Sequence, residues 1–136
     1  MHELFEHTAD LGLRIRAADL NTLFAEAAEC LLSAVLEDVA TVRPETAVTV
    51  ELTGTDRDFL LFDWLRDLLT RCDADRMVFG KFSVEVRENG LTGTAWGEPF
   101  DATRHELSHE VKAITYHELK VVPDGDGWLA EVIVDI

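Results

Sequence analysis

Two periods of hydrophobic residues divide the chain into predicted strands and helices. Leu11, Leu13, Ile15 and Ala17 alternate with polar or small residues, and this period of two predicts a half-buried strand. The same alternation recurs in later segments, which we predict to be five further strands: 48–52, 82–86, 91–96, 111–122 and 128–134.

Two amphipathic helices are predicted from apolar residues that recur at helical spacing. Asp19 or Asn21 can cap the first helix, whose apolar stripe comprises Leu20, Leu23, Phe24, Ala27, Ala28, Leu31, Leu32 and Val35. Thr55 and Asp58 resemble a capping box with Asp in place of Glu. The helix that follows them has its apolar stripe at Leu61, Trp64, Leu65, Leu68, Leu69 and Cys72.

Turn residues indicate how the later strands connect. Asn89-Gly90 favours a type I′ hairpin turn because both residues accept a positive φ, and Pro123 to Gly127 turns the chain into the last strand. No repeat or linker divides the sequence. The order β-α-β-α-β-β-β-β predicts an α+β fold, a single two-layer domain over 1–136 with both helices packed on a largely antiparallel sheet.

The charge balance narrows the classes of partner. There are 27 acidic and 12 basic residues, a net charge of −15, so we expect no direct nucleic-acid binding, which depends on Lys and Arg. A basic protein partner or a divalent cation suits this surface better. Acidity near the start, at Glu3, Glu6 and Asp10, is unlike a signal peptide, and no apolar run predicts a membrane span. We therefore expect a cytoplasmic protein, with Cys30 and Cys72 as reduced thiols.

One segment matches a zinc-protease pattern. His105-Glu106-Leu107-Ser108-His109 satisfies H-E-x-x-H, which binds zinc only if a helix points both histidines at one ion. Leu107 is the one sizeable apolar residue between Asp101 and Glu110, so an anchored helix is not expected there. A zinc-dependent hydrolase that uses His105, Glu106 and His109 is therefore kept as an alternative only.

The two ends of the chain carry a different candidate site. Asp10 precedes the first predicted strand, whereas Asp135 ends the last and is followed by Ile136. If Ile136 is the natural terminus, its carboxylate lies beside Asp135, and a third nearby anion would require a cation. Oxygen ligands of this kind suit Ca²⁺ or Mg²⁺ better than zinc. A terminal carboxylate is more often simply solvated, and the sequence alone does not place Asp10 near it.

Several segments together resemble the archease family, in matching order and spacing over nearly the whole chain. They are FEHTADLGLRIRA, LLFDWLRDLL, FDATRHE followed by VKAITYH, and WLAEVIVDI. The most specific parts are His7-Thr8-Ala9-Asp10, the segment 111–117 and Asp135-Ile136. Arg104-His105 recurs in the family pattern, whereas His109 is not a family position, which weakens the zinc alternative further.

The resemblance implies a non-catalytic protein cofactor, not an enzyme. Such proteins activate an RtcB-type RNA ligase by promoting its guanylylation and multiple turnover in tRNA splicing and RNA repair. The family's metal site, described with calcium, would comprise Asp10, Asp135 and Ile136 in this chain. That site requires the ends of the first and last strands to converge, most simply as antiparallel neighbours.

Other polar residues of the family pattern have two possible roles. They either contact the partner or satisfy buried polar groups, and they are His7, Arg104, His105, Lys112 and His117. A general chaperone or adaptor for RNA-modifying enzymes is a further alternative function, distinguished by activity toward unrelated client proteins.

Overall fold

Two α-helices and eight strands make up the part of the chain that the structure, a computed structural model, describes, which is residues 1–7 and 9–136. The helices are α1 (Leu20–Val35) and α2 (Arg57–Ala74), and a short 3₁₀ helix spans Val39–Thr41. The strands are β1 (His2–His7), β2 (Asp10–Ala17), β3 (Thr46–Thr53), β4 (Met77–Arg87), β5 (Gly90–Pro99), β6 (Ala113–Ile114), β7 (Lys120–Asp124) and β8 (Gly127–Asp135).

The strands form two antiparallel sheets that share the helices. The larger sheet has the order β1-β2-β8-β6, with β7 also paired to β8, and the smaller has the order β3-β5-β4. Both α1 and α2 contact strands of both sheets, so a single core of apolar side chains lies between helices and sheets. The predicted α+β class and the order of the predicted elements are confirmed, although the strands divide into two sheets.

Aspartate side chains begin both helices. Asp19 caps α1 by accepting a hydrogen bond from Thr22 N at 2.8 Å. Asn21, the other candidate cap, instead accepts from Val86 N at 2.7 Å and so ties α1 to β4. Each bond satisfies a backbone N–H that the helix start or the strand would otherwise leave unpaired.

The capping box predicted at Thr55 and Asp58 is wrong. Asp56 caps α2, accepting from Asp58 N at 2.9 Å and from Phe59 N at 3.4 Å. The carboxylate of Asp58 accepts instead from Val121 N of β7 at 2.8 Å. A tertiary contact therefore uses the group that the local pattern assigned to the cap.

The predicted strand 111–122 is interrupted. Only β6 and β7 pair with β8 in this region, and the segment from Ile114 to Lys120 spans only the stretch from Val134 to Glu131 on β8. The excess residues leave the sheet as a loop, with a turn at His117 and Glu118. The alternation of apolar and polar residues continues through this loop by coincidence. The loop is part of the candidate site described below.

Two further differences concern the sheet edges and a turn. The structure adds β1, an edge strand paired only with β2, whose sequence HELFEH is too polar to give a strand signal. The β4–β5 hairpin is confirmed, but its central residues are Glu88 and Asn89 with negative φ, so the type I′ turn is wrong. Gly90 starts β5, where a Cβ would lie 2.3 Å from Leu52 O, so close approach of β3 requires this glycine.

Trp64 links the two helices to the smaller sheet. Its fully buried indole donates a hydrogen bond from Nε1 to Phe24 O of α1 at 3.0 Å. The opposite side of the ring faces Gly93 of β5, where a Cβ would lie 2.5 Å from the ring. The absence of a side chain at Gly93 therefore allows α2 to pack against the smaller sheet.

Replacement of Gly93 by alanine should lower the free energy of unfolding by about 1–3 kcal/mol, since overpacking forces side chains or backbone to shift. Ser83→Ala, at an exposed position of β4, is the control and should change it by less than about 0.5 kcal/mol. Urea denaturation of both variants measures the difference. Equal stability of the two variants would contradict the packing described here.

Candidate metal and partner site

The ends of β2 and β8 meet at one edge of the larger sheet. The two strands pair as antiparallel neighbours from Leu11 opposite Val134 to Ala17 opposite Trp128. Asp10 and Asp135 are the next residues beyond the Leu11–Val134 pair, so this register brings them to the same end of the sheet. The arrangement of strands that the candidate site requires is therefore present, and the metal site itself stays a prediction.

A ladder of charged side chains crosses four strands and supports this register. Arg14 of β2 donates from Nε to Glu131 of β8 at 2.7 Å and from Nη1 to Glu3 of β1 at 3.1 Å. Lys120 of β7 adds a contact of 2.9 Å to the other oxygen of Glu131. The two hydrogen bonds raise the pKa of Arg14 above its usual value. Isolated surface ion pairs contribute little, whereas a network with good geometry contributes more.

The segment around β6 lies along the C-terminal end of β8. Lys112 N donates to Asp135 O at 2.8 Å, and Thr115 donates to Ile133 O through both its backbone N–H, at 3.0 Å, and its hydroxyl, at 2.9 Å. These bonds hold the loop 115–119 beside the strand ends. The side chain of Lys112 is exposed there.

Three polar side chains converge next to Asp10. His7, the last residue of β1, lies 3.0 Å from Glu118 through Nε2 and 4.0 Å from Asp10 through Nδ1. Its ring meets that of His117 edge to face, with centroids 5.4 Å apart. The side chains of His117 and Glu118 are 63% and 60% exposed. Glu118 was missed by the sequence analysis, and nothing in the local pattern distinguishes it from other acidic residues.

Comparison with known proteins identifies the family. The model of the Archease protein family (MTH1598/TM1083) matches residues 2–136. A protein archease from Sulfurisphaera tokodaii is 41% identical over 136 residues, with 98% of this chain and 97% of that protein covered. The chain belongs to the archease family.

Solved structures agree with this family assignment. The solution structure of Methanobacterium thermoautotrophicum protein 1598 matches with a TM-score of 0.88 and 36% identity, covering 99% of this chain and 98% of the other. An archease from Thermotoga maritima, described as a possible chaperone, matches with a TM-score of 0.59, at 22% identity and with 100% and 98% of the chains covered. The second match shows the shared fold alone.

The archease-pattern residues separate into two places. His7, Asp10, Lys112 and His117 lie around the converging strand ends, whereas Arg104 and His105 lie elsewhere and bind Glu98. Thr8, the second residue of the His7-Thr8-Ala9-Asp10 motif, lies outside the described residues.

No helix in the described chain, residues 1–7 and 9–136, is long and apolar enough to cross a membrane.

Glu98 is a buried carboxylate at the centre of a hydrogen-bond network. It accepts from the Arg104 guanidinium, from Arg43 N at 2.7 Å and from His105 Nε2 at 3.0 Å. The hydrogen bond from Arg104, with those from Arg43 and His105, lowers the pKa of Glu98 to about 2 although burial opposes the shift. The network is structural, since both Glu98 and His105 are almost fully buried.

The zinc-hydrolase alternative is wrong for these residues. The segment 105–109 forms no helix, so the condition for the H-E-x-x-H pattern fails. His105 uses both ring nitrogens within the protein, because Nδ1 accepts from Asp101 N at 2.9 Å while Nε2 contacts Glu98. His109 is exposed instead and lines a cavity of about 340 Å³ between α2 and this loop.

Burial holds both cysteines in the thiol form. Burial raises the pKa of Cys30 and that of Cys72 to about 12, so neither is a thiolate at neutral pH. Both are free thiols, Cys30 buried and Cys72 half-buried. Their expected reduced state and apolar role agree with these positions.

Glu98 should make the protein less stable in acid. Because its pKa is lowered in the folded state, its contribution is complete above the ordinary Glu pKa near 4.5 and is lost as the pH falls toward about 2. Glu98→Gln should therefore flatten the pH dependence of the unfolding free energy in this window. At pH 7 the variant should lose about 1–3 kcal/mol, the cost of impaired buried hydrogen bonds.

Urea unfolding at several pH values measures this effect. The control is Glu88→Gln, because Glu88 is exposed in the β4–β5 turn and its replacement should leave the wild-type pH profile intact. A Glu98→Gln profile parallel to that of the wild type would contradict the assignment of the ionised carboxylate to Glu98.

Proposed function

We propose that this archease-family protein is a non-catalytic cofactor that activates an RtcB-type RNA ligase. It would promote guanylylation of the ligase and its multiple turnover in tRNA splicing and RNA repair. Membership of the archease family supports this proposal, and the convergence of the Asp10 and Asp135 strand ends carries it. Activation of this kind requires that the protein bind the guanylylation-competent state of the ligase more tightly than other states.

The proposed metal site takes a divalent cation, Ca²⁺ in the first place and Mg²⁺ as the alternative. Its ligands would be the side chains of Asp10 and Asp135 and, if the chain ends there, the main-chain carboxylate of Ile136. The register of β2 and β8 places these residues at adjacent strand ends, and all their donor atoms are oxygens, as hard cations prefer. When bound, the ion would offset repulsion between these carboxylates.

Exposed aromatic side chains beside this end of the sheet support a protein partner. Tyr116 is 57% exposed and stacks on Phe62 with ring centroids 4.0 Å apart, while Phe59, 52% exposed, meets Tyr116 edge to face at 5.5 Å. Large aromatic residues held in place by packing are typical anchors of protein interfaces. Tyr116 directly precedes His117, whose ring contacts that of His7 beside Asp10, so the loop that carries Tyr116 also approaches the proposed metal site.

A general chaperone or adaptor for RNA-modifying enzymes is the second candidate function. The Thermotoga maritima archease, which shares this fold, is described as a possible chaperone, and that description of the other protein raises this alternative. The two functions differ in their clients, because a chaperone would suppress aggregation of unrelated proteins whereas a ligase activator would not. The acidic surface, with a net charge of −15, is consistent with a protein partner in either case.

Asp10→Ala should abolish stimulation of the ligase, because it removes a proposed metal ligand. The measurement is the rate at which the RtcB-type ligase of the same host becomes guanylylated, with and without this protein. Circular dichroism and urea unfolding establish that the variant is folded. Asp126→Ala, at an exposed position in the β7–β8 turn, should retain full stimulation, and full stimulation by Asp10→Ala would refute the site.

Tyr116→Ala should weaken binding to the ligase by about 10–30-fold, the loss expected for an interface anchor worth roughly 1.4–2 kcal/mol. Biolayer interferometry with immobilised ligase measures the affinity. Leu107→Ala is the matched control, since Leu107 is equally exposed, at 59%, on a different surface. Equal affinities of the two variants would remove Tyr116 from the interface.

A further inference from the structure

We propose that His7, His117 and Glu118 form a second metal site, which takes Zn²⁺ or a similar transition-metal ion. This site is separate from the all-oxygen site proposed at Asp10, Asp135 and Ile136, and it does not depend on the ligase function.

The three side chains already lie at nearly coordinating distances. One donor atom from each of His7, His117 and Glu118 lies within 4.8 Å of the others, and the His7 Nε2 to Glu118 distance is 3.0 Å. Zinc binds imidazole nitrogen at about 2.0–2.1 Å and carboxylate oxygen at about 2.0–2.2 Å, so its ligands lie a little over 3 Å apart. Small rotations of the exposed His117 and Glu118 side chains are enough to close the remaining gap.

The two ring nitrogens of His7 have different surroundings, since Nε2 lies 3.0 Å from Glu118 whereas Nδ1 has no partner among the described residues. Its Nδ1 is a buried atom with no hydrogen-bond partner within the described part of the chain, and Asp10 lies 4.0 Å away from it. A metal ion on Nε2 would leave the proton on Nδ1, the ring nitrogen that the Asp10 carboxylate approaches. A carboxylate behind a metal-bound histidine is the usual arrangement in zinc sites, because it fixes the tautomer and the ring orientation.

The backbone at Glu118 is held in an uncommon conformation. Its φ is 55°, and the left-handed region costs a residue with a side chain roughly 1–2 kcal/mol. Glu118 adopts this conformation in the turn whose His117 and Glu118 side chains lie close to His7 at the end of β1. Strain of this kind clusters at functional sites, where surrounding interactions maintain it.

The donor set selects the class of metal. Two imidazole nitrogens with one carboxylate suit Zn²⁺ and its transition-metal neighbours, whereas Ca²⁺ prefers oxygen ligands throughout. Three protein ligands leave a fourth position for water or for a donor atom from a partner. Exposure of His117 and Glu118 keeps that position accessible from solvent.

Titration calorimetry with ZnCl₂, in buffer that contains saturating CaCl₂, tests the proposal. The wild-type protein should bind one equivalent of zinc, and His117→Ala should weaken binding by more than about 100-fold, since even loss of a residue that only hydrogen-bonds to a metal ligand costs about 10–100-fold. Because His117 is exposed, this variant should fold normally. Asp135→Asn should keep zinc binding, which separates this site from the proposed calcium site.

The matched control is His109→Ala, which removes an exposed histidine on a different surface and should leave zinc affinity unchanged. Visible absorption of bound Co²⁺ gives a second readout, with a tetrahedral spectrum expected for the wild type and its loss in His117→Ala. No stoichiometric zinc binding by the wild type, or equal zinc affinities for His117→Ala and His109→Ala, would overturn the proposal.

Discussion

Pairing of β2 with β8 is the constraint on which the candidate site depends. Strand β8 lies between β2 on one side and β6 and β7 on the other, so its register determines which residues meet at each edge. A slip by one residue would turn every side chain of the strand to the opposite face. Buried Leu13 and Val132 on one face and the Arg14–Glu131 ion pair on the other both oppose such a slip.

The same register collects residues from both ends of the chain. It brings Asp10 and Asp135 together, and through β1 and the loop after β6 it adds His7 and the turn at His117 and Glu118. A hard-cation site and a transition-metal site would then lie side by side, with Asp10 between them. The exposed aromatic residues next to this edge would be the anchors of the proposed protein interface.

Polar residues of the archease pattern divide by burial into two groups. Arg104 and His105 satisfy the buried Glu98 carboxylate, so the fold explains why these residue types are needed there. His7 instead contacts the exposed Glu118 and leaves Nδ1 without a hydrogen-bond partner among the described residues, and the His117 side chain is exposed to solvent. Burial and hydrogen-bond partners therefore assign Arg104 and His105 to a buried network, whereas a role of His7 and His117 in binding stays a prediction.

The spacing of hydrophobic residues was sufficient to predict the helices and strands that bury one face in the core. The strand from Leu11 to Ala17 and both helices follow from it because their side chains meet a single core. The polar edge strand β1 buries too few apolar side chains to produce the alternation that predicts a strand. In the loop after β6, apolar and polar residues alternate by chance, although the loop is not a strand. Glu118 could not be predicted as a site residue, since its role depends on a turn conformation and on contact with the distant His7.

The central claim is that the ends of β2 and β8 form one oxygen-lined site for a hard cation. A crystal structure of the protein grown with CaCl₂ tests it most directly. The account predicts one ion bound to carboxylate oxygens of both Asp10 and Asp135 at about 2.3–2.6 Å, the usual range for Ca²⁺. A calcium ion bound elsewhere, with solvent alone between these two carboxylates, would contradict it.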